Sequence, residues 1–96
     1  MLIRSQDKEQ LLNIDSVKTI GICERGKCFA IFIDNFYFIG NYSSREKVIK
    51  VLDMIQEAYS EYQIMLNFSV SYLHEFKEKT DGFAIFQMPE DSDVEA

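Results

Sequence analysis

The stretch that decides the fold is residues 17–40, VKTIGICERGKCFAIFIDNFYFIG. Three runs in it, 17–24, 27–33 and 36–40, are rich in β-branched and aromatic residues and read as strands. Only Arg25-Gly26 and Asp34-Asn35 separate them. Gaps this short join antiparallel neighbours, because a parallel connection needs a crossover of about a dozen residues. The pattern predicts a meander. Cys28 to Ile33 is apolar at every position, and so is Phe36 to Ile39. Side chains alternate across a sheet, so such strands need cover on both faces. One helix covers one face. The other is left to a second copy of the chain or to the C-terminal segment folding back.

Outward toward the N-terminus, 2–4 and 10–14 read as short strands joined by the polar Gln6-Asp7-Lys8-Glu9, with a turn at Asp15-Ser16. Outward toward the C-terminus, Ser43-Ser44-Arg45-Glu46 fits a capping box, with Ser43 as N-cap and Glu46 reaching back. Val48, Val51, Leu52, Ile55, Ala58, Tyr59 and Tyr62 then recur at helical spacing and form one apolar arc. They predict a helix over 44–62. Its charges run against the macrodipole, with Arg45, Lys47 and Lys50 early and Asp53, Glu57 and Glu61 late, so packing must stabilise it. In 63–81, Ile64, Leu66, Phe68, Val70 and Tyr72 alternate, which reads as a strand followed by an irregular or helical piece. A last strand is expected over 83–88, ended by Pro89. The expected architecture is α+β: an antiparallel β-meander of about five strands against one long helix, with a C-terminal strand. Phe-Ala-Ile-Phe occurs at 29–32 and 83–86 without flanking similarity, so it marks two core strands and no internal repeat.

Composition bounds the rest. The 96 residues suit one domain, and 47% apolar content with a single Pro supports a real core. Sixteen acids against ten bases give a formal charge of −6. Four of those acids, Glu90, Asp91, Asp93 and Glu95, fall in 90–96 without a base, leaving 1–89 near neutral. The division expected is a globular domain over 1–89 and a flexible acidic tail over 90–96. This balance argues against direct nucleic-acid binding, and the aromatic strands are explained by core packing. No apolar stretch reaches the roughly 20 residues of a membrane span, and the start has no signal-peptide core. The expected location is the cytoplasm, with Cys23 and Cys28 as reduced thiols.

Three stretches taken together carry a resemblance: Ile3-Arg4-Ser5-Gln6-Asp7-Lys8; Gly40-Asn41-Tyr42-Ser43-Ser44 leading into Val51-Leu52-Asp53-Met54-Ile55; and Phe86-Gln87-Met88-Pro89-Glu90-Asp91. Their order resembles a group of small uncharacterised proteins of Gram-positive bacteria and their phages or mobile elements. That resemblance implies a bacterial cytoplasmic accessory protein and transfers no functional residue.

Few side chains invite chemistry. Cys23 and Cys28 flank the Arg25-Gly26 turn. A two-residue loop of Arg25-Gly26 would set them directly opposite, as a candidate cross-strand thiol pair; a three-residue loop ending in Gly26 would set Cys23 against Lys27. Two small packed thiols are the plain alternative. With His74 distant, they make no four-ligand zinc set. His74, the sole histidine, has Ser71 and Glu75 nearby but no nucleophile motif. Asp53, Glu57 and Glu61, four residues apart, form a candidate partner-contact stripe or an ordinary solvated face. The glycines are isolated, and no phosphate-cradling loop is present. No catalytic residue, cofactor or metal is assigned.

The function expected is a non-enzymatic interaction module that binds protein, foremost a second copy of itself as a homodimer. The alternative is an acidic inhibitor of a nucleic-acid-binding enzyme of phage or mobile-element type. A third reading is a small hydrolase or binder built around His74 and 63–81.

Overall fold

The computed structural model describes residues 1–34, 37–66 and 85–95. The chain is an α+β fold. β3 (Ile20–Arg25), β4 (Cys28–Ile33) and β5 (Tyr37–Tyr42) form the antiparallel meander, and α1 (Arg45–Leu66) packs on one of its faces. The two N-terminal strands do not extend it. β1 (Leu2–Arg4) and β2 (Leu11–Asn13) make a separate hairpin, and β6 (Ile85–Gln87) joins β1 in parallel. The single five-stranded meander expected from sequence is thus two three-stranded sheets. Two elements break the series: the polar loop after β1 and a 3-10 turn at Ile14–Ser16 that Asn13 caps through Asp15 N–H.

The meander's register follows from its turns. Arg25 pairs with Cys28, so Gly26-Lys27 is the two-residue loop, one position later than the sequence suggested. Gly26 takes φ +62 at the first loop position, where a II′ hairpin turn calls for glycine. Between β4 and β5, Ile31 pairs with Gly40 but Phe32 with Phe38, so Ile39 is the extra residue of a bulge. The side chain of Ile39 is buried in the core. A Cβ on Gly40 would stand 2.9 Å from Met88 Cε and 3.0 Å from the Tyr42 ring, so only glycine lets both side chains close over the strand.

The core lies between α1 and the sheets. Val48, Val51 and Ile55 of the helix meet Ile31, Ile33, Ile39 and Tyr42 of the meander, with Met1 and Ile3 from the smaller sheet. The helix begins one residue later than the capping box placed it: Ser44 Oγ accepts the N–H of Lys47 at 3.2 Å, and Ser44 is the cap. It also runs four residues past Tyr62. No glycine or proline breaks it there, and Gln63 donates its amide to Tyr59 Oη one turn back at 2.9 Å. Residues 63–66 are therefore helix, not strand. Ile64 and Leu66 stay exposed, because a 22-residue helix of about 33 Å outruns six-residue strands of about 20 Å. The remainder of the alternating segment, 67–81, lies outside the described residues, as do Phe83 and Ala84.

The acidic C-terminus is not a detached tail. Val94 is only 4% exposed and belongs to the core, and Met88 is buried beside it. Asp91 Oδ1 accepts the N–H of Ser43 at 2.8 Å, and its other oxygen pairs with Lys47 Nζ at 3.4 Å. Lys50 Nζ reaches the carbonyl of Glu95 at 2.6 Å. A domain boundary at residue 89 cuts through this packing. The charge count hid Val94, whose buried side chain anchors the segment.

Candidate interaction surface

The two outer strands of the meander are treated differently by the chain. The free side of β5 is occupied: Gln6 N–H donates to Ile39 O at 2.8 Å. The Gln6 side chain then imitates a strand, accepting Asn41 N–H at 2.8 Å and donating to Asn41 O at 3.1 Å. That edge is closed.

Among the described residues β3 has no such guard. Asp34 N–H donates to Thr19 O at 2.9 Å, so the main chain of Thr19 faces β4. Alternation then turns the main-chain groups of Gly21, Cys23 and Arg25 toward β4, as the pair Arg25–Cys28 closing the hairpin also requires. The N–H and C=O groups of Ile20, Ile22 and Glu24 face outward. Among the described residues no other segment hydrogen-bonds to them. Residues 20–23 carry no charge, proline or bulge, the devices that usually blunt an edge.

On the helix side of this edge runs an apolar groove of about 260 Å³, lined by Ile14, Ile20, Leu52, Ile55, Gln56 and Tyr59. Its walls are tied together at one end. Tyr59 Oη donates to Asp15 Oδ1 at 2.9 Å, and the Met1 ammonium stands 3.5 Å from Asp15 Oδ2. The hydrogen bond to Asp15 raises the Tyr59 pKa, since the carboxylate favours the protonated phenol. A second, polar hollow of about 170 Å³ lies by Ser5, Asp7, Arg25 and Phe38. Its groups are already engaged. The Arg25 guanidinium stacks 4.1 Å above the Phe38 ring, and Asp7 accepts from Ser5 Oγ and Glu9 N–H, which lowers its pKa.

The sequence candidates fall as follows. Cys23 pairs with Ala30 and Cys28 with Arg25, so neither expected register holds and the two thiols are diagonal rather than opposite. Both are free and half-buried. Diagonal positions are about 7–8 Å apart, beyond the usual reach of a disulfide. They lie on the face away from α1 with Ala30 and Phe32, and the Phe32 ring leans over Gly21. Asp53, Glu57 and Glu61 are all exposed on the outer face of α1, and no described cation forms a salt bridge with them. Lys50 stands on the same face, so the stripe is not purely acidic. His74 and Ser71 lie outside the described residues. Among those described, no three His, Cys, Asp or Glu side chains are grouped to hold a metal ion. No described helix is long and apolar enough to cross a membrane.

Sequence reasoning missed the β3 edge and its guard on β5. Gln6 sits in a polar connector, and nothing in one dimension says that its amide docks beside Asn41. No family model matches the chain, and no curated protein or solved structure is significantly similar to it.

Proposed function

We propose that the chain is a non-enzymatic protein-interaction module that associates with itself, acting in a bacterial or phage-related cytoplasm. One observation carries the self-association reading: of the meander's two outer strands, one is capped by Gln6, while the other, beside an apolar groove, has no partner strand among the described residues. An unpaired edge without charge over 20–23 is a template for another strand, and the groove offers apolar area to go with it. The two-faced apolar character of β4 supports the same reading. Sedimentation velocity across a micromolar concentration series tests it. The expected result is a concentration-dependent dimer; a strict monomer throughout refutes it.

The acidic-inhibitor reading draws on Asp53, Glu57 and Glu61, three exposed carboxylates about one helical turn apart. It fits less well, because the acids of 90–95 are partly engaged by Ser43 and Lys47 and because Lys50 interrupts the helix face. Co-purification from a host extract separates the two: recovery of a nucleic-acid enzyme, lost when the three acids become Asn or Gln, would favour inhibition.

A further inference from the structure

We draw no further inference here: the strongest candidate, the outer edge of β3 together with the apolar groove that Ile14, Ile20, Leu52, Ile55 and Tyr59 line between it and α1, carries none, because nothing in the structure shows what covers it.

Discussion

Replacing Val94 with Ala tests whether the acidic C-terminus belongs to the folded domain. Val94 is 4% exposed and packs in the same cluster as Val48, Val51 and Met88. The substitution removes two buried carbons, a transfer loss of about 1.6 kcal/mol. If the neighbours did not relax, the void of about 50 Å³ would add about 1.2 kcal/mol. The expected loss is therefore about 1.6–2.8 kcal/mol, the lower end applying if the segment settles inward. For a domain of this size that corresponds to a Tm lower by roughly 6–20 °C. Thermal and urea melts followed by circular dichroism read it directly. Val94→Ser should cost at least as much, because it adds a hydroxyl to an apolar site. Deleting residues 90–96 should cost more than either, since it also removes the bonds of Asp91 to Ser43 and Lys47 and of Glu95 to Lys50. A Val94→Ala protein melting within 1–2 °C of the parent, by roughly the same scale, would refute the reasoning and return 90–96 to the status of a solvated tail.

Other outcomes follow from the same packing. Ser44→Ala should lower stability by about 0.5–2 kcal/mol through loss of the helix cap, and Ser43→Ala by clearly less, measured in the same urea melts. Gly21→Ala places a Cβ 2.7 Å from Phe32 Cζ, so it should destabilise by about 1–3 kcal/mol, and Phe32→Leu in the same chain should recover part of that. Asp91 has its carboxyl pKa lowered, chiefly by the Ser43 N–H and also by the Ser43 hydroxyl and Lys47. Its folded-state pKa lies below its unfolded one, so this stabilisation is complete above the usual carboxylate range and disappears as pH falls through the folded value. Asp91→Asn should therefore shrink the difference in Tm between neutral pH and mildly acidic pH; an unchanged pH profile would speak against the Asp91 contacts.

The strands of the meander and the helix were legible because each rests on local periodicity. The run from Ile20 to Ile33 alternates or saturates with β-branched and aromatic residues, and Val48 to Tyr62 repeats at helical spacing. Errors gathered where a choice of one residue depends on distant atoms. Whether Arg25 or Lys27 enters the loop with Gly26 is decided by the whole ladder from Ile20–Ile33 to Arg25–Cys28, not by the turn alone. Glu46 made Ser43 the cap in sequence; in the fold Asp91, nearly fifty positions away, takes the Ser43 N–H that Glu46 was to take, and Ser44 caps instead. Ile64 and Leu66 alternate like a strand, yet an unbroken helix simply carries them onward.

By itself, then, the sequence determined the three strands of the meander, their antiparallel order and the helix face that packs on them, since those depend on neighbours within one or two turns of chain. Only the tertiary structure decided that the N-terminal hairpin forms a second sheet with β6, that Val94 belongs to the core, and that Gln6 closes one edge of the meander while no described segment pairs with the other. These outcomes depend on hydrogen-bonding groups and apolar surface meeting across gaps of 35 to 83 residues, as Gln6 meets Asn41 and Arg4 pairs with Gln87. No local pattern encodes where a chain's ends will find their partners; the packing of the assembled core does.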